Sequence, residues 1–407
     1  MVTTFNNYKD YIKFLKSFYF KKEYADCNVY NEGSKLVIEL NNTDTYEYVY
    51  ENDNIKTFFQ EWLGTNDKKH FVVSSSNNYQ LLANSLIQEV LLIAEDEKFN
   101  GNKLFKKFYI KKKNGKKREI IAPSNVIKKA LQNVNRIFQS KYDYINEDFQ
   151  VAYKRGKNVV NNAEVHKENE HIFKIDLTDF FISCKRNYVD EKVDFLFKYA
   201  YEGEWLKNKF LDVILNNNAL FIGSPVSGTL ANAIISAPVR YIKNICEKYQ
   251  ITFSVYADDM TFGSPKYIPA KFIEGIFNTA FSEYHMEKDF KVNLEKCYGL
   301  SKSNRFITGV VLNDNNELTP RRAKYNRIKM TLHQLYYGDS SHIVSKAALK
   351  KLDPKKYWTW NQFKGNIAYC IMVDESGKMK TLLSKYKDIV KQYKLLSDET
   401  LEKLEVK

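Results

Sequence analysis

Two adjacent aspartates, Asp258 and Asp259, interrupt an apolar, β-rich run in SVYADDMTF (254–262). Strand-like residues on both sides of so short a break predict a tight hairpin with the acids at its tip. Two like charges there repel strongly unless cations stand between them, although an isolated Asp-Asp pair is usually an ordinary exposed turn. A second segment, HIFKIDLTDFF (171–181), puts Asp176 after another apolar strand and ahead of Phe180 and Phe181. Three carboxylates converging from two strand ends make a place for two divalent cations about 3.5–4 Å apart, the arrangement that catalyses in-line phosphoryl transfer. Asp179, three residues after Asp176, reads as a surface or capping acid instead.

The chain that must position these acids has 407 residues, enough for two or three lobes around sizeable cores. Its 63 Lys+Arg against 49 Asp+Glu give a net charge of +14, which suits a polyanion such as nucleic acid, and 44% hydrophobic residues exclude wholesale disorder. The charge is uneven. Residues 1–100 hold ten Lys, no Arg and fifteen acids, a balance of −5 that leaves +19 for the remainder. The five cysteines are scattered without a Cys-x-x-Cys pair, so neither disulfides nor a zinc site is indicated. No apolar run reaches the roughly 18 residues of a membrane span and the start lacks a signal peptide's pattern, so a cytoplasmic protein without membrane attachment is expected.

Around the acids, KLFKKFYIKKKNGKKR (103–118) packs nine basic residues into sixteen about an Asn-Gly turn, predicting a hairpin that shows Lys and Arg either to solvent or to phosphates. YQLLANSLIQEVLLIAEDE (79–97) and NVIKKALQNVNRIFQSKY (125–142) have helical spacing, and residues 35–40 predict a short strand. From Arg321 and Arg322 onward a basic, helix-patterned region combines Lys324 and Arg327 with aromatic residues such as Tyr336, Tyr337 and Trp358. Basic and aromatic residues together suit a groove that tracks a nucleic-acid backbone, although rings at helical spacing are more often core.

YADD (256–259) resembles motif C of reverse transcriptases, and FKIDLTDFF (173–181) resembles their motif A. Between them FIGSPVSGTLANAI (221–234) is similar to motif B, and KKKNGKKREIIAP (111–123) to the fingers hairpin. NAEVH (162–166), after AYKRGKNVVN (152–161), and ITG (307–309) match elements of bacterial retron and retron-like phage-defence reverse transcriptases, a likeness that spans roughly residues 99–396. Motif B departs from the family where Ile222 replaces a glutamine and where Gly228 and Ala231 stand for the commoner Pro and Ser.

The resemblance implies an α+β, right-hand polymerase, with fingers and palm over 101–315, a helical thumb over 316–407 that binds RNA, and an extra acidic N-terminal module over 1–100 of unassigned role. It implies an RNA-directed DNA polymerase that copies a structured non-coding RNA into DNA, using dNTPs and two Mg²⁺ ions held by Asp176, Asp258 and Asp259. Lys296 falls at the motif D lysine and either protonates the leaving pyrophosphate or is a solvated surface residue. Arg118 and Lys113 are the triphosphate candidates; Phe181, Gly223, Ser224 and Pro225 line the nucleotide pocket, Phe181 barring a ribose 2′-hydroxyl. Thr308, Gly309, Arg321 and Arg322 are RNA-binding candidates. Asn162 and His166 have two readings: hydrogen bonds to RNA, or ties between the segment before motif A and the palm. Retrons act with an effector in anti-phage defence, which the resemblance extends to this chain. Two alternatives are another defence or abortive-infection reverse transcriptase, with a different template or none, and an inert RNA-binding scaffold on a polymerase fold.

Overall fold

The computed structural model describes residues 2–20, 26–40, 44–64, 68–72, 78–111, 115, 117–142, 148–198, 200, 202–301, 305–354, 356–397 and 400. Lys113 therefore lies outside the described residues. In chain order the N-terminal part holds β1 (Val2–Phe5), α1 (Tyr8–Phe20), β2 (Asp26–Glu32), β3 (Lys35–Leu40), β4 (Asp44–Val49), α2 (Asp53–Leu63), β5 (Lys69–Val72) and α3 (Asn78–Phe99). Its strands form one sheet in the order β1-β4-β3-β2-β5.

The basic stretch folds as the two-stranded hairpin of β6 (Phe105–Lys111) and β7 (Lys117–Pro123), with Ile110 opposite Arg118. Then come α4 (Asn125–Tyr142), α5 (Val159–Glu164), β8 (His171–Asp176), α6 (Phe180–Ser183), α7 (Arg186–Val193), α8 (Gly203–Ile214), α9 (Ser227–Lys248), β9 (Thr252–Tyr256), β10 (Asp259–Ser264), α10 (Ala270–Glu283) and β11 (Tyr298–Leu300). In α4 the buried Ile127, Leu131, Val134 and Phe138 recur every three or four residues, so one stripe of the helix enters the core and its Lys and Arg stay outside. The palm sheet has the order β11-β8-β10-β9, all antiparallel pairs.

The remainder is β12 (Arg305–Ile307), β13 (Val310–Leu312), β14 (Leu318–Pro320), α11 (Arg322–Tyr336), α12 (Lys346–Leu349), α13 (Trp360–Val373), α14 (Lys378–Lys385) and α15 (Lys387–Gln392). These helices enclose their own core, from Ile328 through Phe363 and Ile367 to Leu395. A smaller apolar cluster joins this end to the palm, with Ala163 and Ile172 against Ile307, Val310, Leu318 and Val373.

Packing does not follow the charge boundary at residue 100. One hydrophobic core runs from Tyr8 in α1 to Phe290, past α10. Phe58 of α2 meets Trp205 of α8 with ring centroids 5.3 Å apart, and Lys209 of α8 pairs with Glu61 at 3.0 Å. The expected break at 315/316 falls between β13 and β14, where Leu312 is paired with Leu318, so the hairpin spans it. No helix among the described residues is long and apolar enough to cross a membrane.

Candidate active site

β8 is buried on both faces, Phe173 and Ile175 in the main core and Ile172 in the smaller cluster beside β12–β14, while Asp176 emerges at the strand end. In the β10–β8 pairing Asp259 lies directly opposite Asp176, and in the β9–β10 hairpin it lies opposite Tyr256. Ala257 and Asp258 are thus the two turn residues, and Ala257 takes a left-handed φ of 59°. A non-glycine residue in that region costs about 1–3 kcal/mol and persists only where its surroundings enforce it. Here the Leu177 N–H donates to the Asp258 carbonyl at 2.9 Å and the Asn293 N–H donates to the Asp176 carbonyl at 2.7 Å. The hairpin tip is thereby pinned to the strand that carries the first acid.

Burial holds the Asp258 carboxyl above the usual carboxylate range, and the neighbouring Asp176 charge adds to the shift. Asp259 is likewise raised by burial, against the opposing pull of Lys174. Two lysines offset part of the group's charge: Lys296 Nζ lies 2.6 Å from Asp176 Oδ2, and Lys174 Nζ lies 2.6 Å from Asp259 Oδ2. Lys174 is only 5% exposed. Among the described residues no three His, Cys, Asp or Glu side chains form a ready-made metal cage. Mg²⁺ ordinarily keeps several waters and binds through one or two carboxylates plus substrate phosphates, so the open, all-oxygen set of Asp176, Asp258 and Asp259 fits that ion.

The residues expected to wall the nucleotide pocket lie in the turn before α9. The Ile121 N–H of β7 donates to the Ile222 carbonyl at 2.9 Å, which docks the fingers strand on this turn. Gly223 has φ 120°, and a Cβ there would lie 2.4 Å from the Ile121 carbonyl oxygen, so only glycine permits the approach. Ser224 and Ser227 bury hydroxyls without a hydrogen-bond partner, while Pro225 is half-buried beside them. Phe181 is half-buried against the palm core, and Arg118 is exposed on β7, close enough for its charge to act on Asp258. Asp179 is exposed at the start of α6, with φ 46° and no capping hydrogen bond; it is a surface acid and not a cap.

Asn162 and His166 are fully buried, which corrects the direct RNA-binding reading for both. Asn162 Nδ2 donates to Thr308 Oγ1 at 3.3 Å, tying α5 to the turn before β13. His166 Nε2 lies 2.7 Å from Ser254 Oγ on β9, and burial, helped by the charge of Lys174, pushes its imidazole down to about 3. A ring sealed from water offers nothing to a polyanion. Thr308, at φ 45°, and Gly309, at φ 98°, form a half-buried turn whose Gly309 carbonyl accepts a 2.9 Å hydrogen bond from the Tyr369 hydroxyl. Arg321 and Arg322 are exposed, Arg321 with its guanidinium 3.5 Å from the Phe306 ring centroid. Of the aromatic residues in this region, Trp358 is core, stacked under Arg327, whereas Tyr336 and Tyr337 are 58% and 72% exposed. Two residues near the acids escaped the sequence reading. Lys174 could have been found by period-two alternation, since it lies two residues before Asp176; Tyr153 gave no local signal.

The family described as reverse transcriptase (RNA-dependent DNA polymerase) matches residues 110–312. The retron Ec83 reverse transcriptase of Escherichia coli is 24% identical over 59% of this chain and 78% of its own length. The retron Ec86 reverse transcriptase of the same organism is 28% identical over 58% of this chain and 71% of its own. Among solved structures, apo telomerase from Candida tropicalis has a TM-score of 0.42 at 13% identity, and the match covers 71% of this chain and 58% of that one. The fold assignment takes nothing from so remote a likeness.

Proposed function

This chain is a retron-like reverse transcriptase, an RNA-directed DNA polymerase, and from that premise we propose that it copies a structured non-coding RNA into DNA with dNTPs and Mg²⁺, in anti-phage defence beside an effector protein. The observation that carries the chemistry is the pairing of Asp259 with Asp176 under a hairpin tip that presents Asp258. Asp176, Asp258 and Asp259 would hold the metal. Bound there, two Mg²⁺ ions supply activation of the primer hydroxyl and charge neutralisation at the leaving pyrophosphate.

The chain's own side chains account for the rest. Arg118 offers the triphosphate a bidentate guanidinium from the fingers hairpin, with Lys113 as a second, point-like charge. Lys296, now on Asp176, is within reach of the same region and is the proton donor for the leaving group. Gly223, Ser224 and Pro225 shape one wall of the nucleotide pocket and Phe181 closes it against a ribose 2′-hydroxyl. Arg321 and Arg322, on the exposed face that leads into α11, hold the RNA backbone together with the turn at Thr308 and Gly309.

The test has two parts. On a primed RNA the protein should incorporate labelled dNTPs with Mg²⁺ and stop when the metal is chelated; no incorporation on any primed RNA would favour an inert scaffold. Protein isolated from its host should carry one abundant structured RNA. Sequencing a random cellular mixture instead would overturn the non-coding-RNA reading while leaving the polymerase reading in place.

A further inference from the structure

The ring of Tyr153 occupies the space in which any side chain at position 228 would stand. A Cβ built on Gly228 would lie 2.4 Å from Tyr153 Cδ1 and 2.5 Å from Cγ. Contacts that short, made near the root of the ring as well as along its edge, are not cleared by a small rotation. Nor can the backbone easily give way. The Val151 N–H donates to the Val255 carbonyl at 2.9 Å, the Ala152 carbonyl accepts from Asn232 Nδ2 at 2.6 Å, and the Tyr153 carbonyl accepts from Gln139 Nε2 at 3.4 Å. Tyr153 itself sits at φ 59°, a conformation an L residue keeps only when its neighbours hold it.

On its other side the ring meets Phe181 edge-on, with centroids 6.3 Å apart and planes inclined by 60°. Tyr153 nonetheless keeps 44% of its surface exposed, so it is not a core residue, and it lies near enough to Asp258 to feel that charge. Burial of the hydroxyl, with the charge of Asp258 nearby, pushes it up to about 12.

We propose that Tyr153 is a positioning residue for sugar selection: wedged against the bare backbone of Gly228, its ring fixes the orientation of Phe181 and so sets the preference for dNTPs over rNTPs. The inference rests on the reading of Phe181 as the group that bars a ribose 2′-hydroxyl. It explains why position 228, in the first turn of α9, is glycine although alanine is the better helix former.

The experiment measures kcat/KM for a dNTP and the matching rNTP on one primed RNA. Tyr153→Ala should lower the dNTP:rNTP ratio by about tenfold or more, whereas Tyr153→Phe, which keeps the ring, should stay within about twofold of wild type. Gly228→Ala should also lower the ratio, and the double variant Tyr153→Ala/Gly228→Ala should be no worse than Tyr153→Ala, because the methyl group then enters vacated space. Should Tyr153→Ala not fold, Tyr153→Leu supplies the same comparison. A ratio unchanged in Tyr153→Ala, or strictly additive effects in the double variant, overturns the inference. Phe181→Ala separates the two layers: if it leaves the ratio fixed, both readings fall, and if it alone shifts the ratio, only the role of Tyr153 falls.

Discussion

At one end of the palm sheet Asp176, Asp258 and Asp259 stand partly open to solvent, held apart in charge by Lys296 and Lys174. Toward the other end His166, Asn169 and Gly263 are packed so closely that a Cβ at 263 would lie 2.6 Å from both polar side chains. Both clusters are polar, and both lie beside the same pair of strands. The first keeps surplus negative charge at a strand end partly open to solvent, so it gains by meeting a cation and its loss costs chemistry. The second has its imidazole neutral and bonded within the protein, so its loss costs structure. Short sequence words of similar appearance can therefore serve opposite ends, and burial separates them.

Replacing Asp258 and Asp259 together with Ala should make the widest gap between the two clusters. Synthesis should fall by a factor on the order of a thousand or more, since metal ligands are lost, while RNA affinity holds; the melting temperature should drop, because the buried Lys174 ammonium loses its Asp259 partner. Retained activity within about tenfold of wild type would break the contrast at its stronger end.

The double change Asn162→Ala/His166→Ala should act through stability. Removing two fully buried, hydrogen-bonded side chains should cost on the order of 2–5 kcal/mol, read as a lower melting temperature. Synthesis on a generic primed template and discrimination between two RNAs should then decline in parallel. Selective loss of RNA discrimination in a protein that melts normally would return these residues to recognition.

The smallest effect concerns pH. The imidazole of His166 is held near about 3 in the folded protein, below the roughly 6.5 of an unfolded chain. Between those values the unfolded state binds a proton that the folded state does not, so stability falls as pH drops through that window, by at most about 1.4 kcal/mol per pH unit. The neutral variant His166→Gln lacks this component and should show a shallower loss of stability on acidification. Identical slopes would show that His166 is not sealed.

The acids were readable because their signal is local. Asp176 ends a strand, Asp258 sits in the two-residue turn between two strand-like runs, and Asp259 opens the second of them, opposite Asp176. The basic hairpin was readable for the same reason, with its Asn-Gly break between two strand-like runs. Charge showed a change of composition near residue 100 but not how the two sides pack: Trp205 on Phe58 and Lys209 on Glu61 join the acidic segment to the following part of the chain without leaving a trace in composition. His166 kept two readings because a histidine looks the same in a list whether it faces RNA or ties its segment to a strand, and the structure shows the tie.

By itself, then, the order of residues determined the chemistry available: three carboxylates on two strand ends, a basic hairpin and a net positive chain, all of which follow from identity and from periods of two and 3.6. Only the tertiary structure decided which polar groups that chemistry can use. Burial depends on contacts between segments far apart in the chain, as when Ser254 covers His166, Lys174 reaches Asp259, and Tyr153 takes the place of a side chain at Gly228. No local pattern encodes those distances, because each is set by how two elements dock and not by what either one contains.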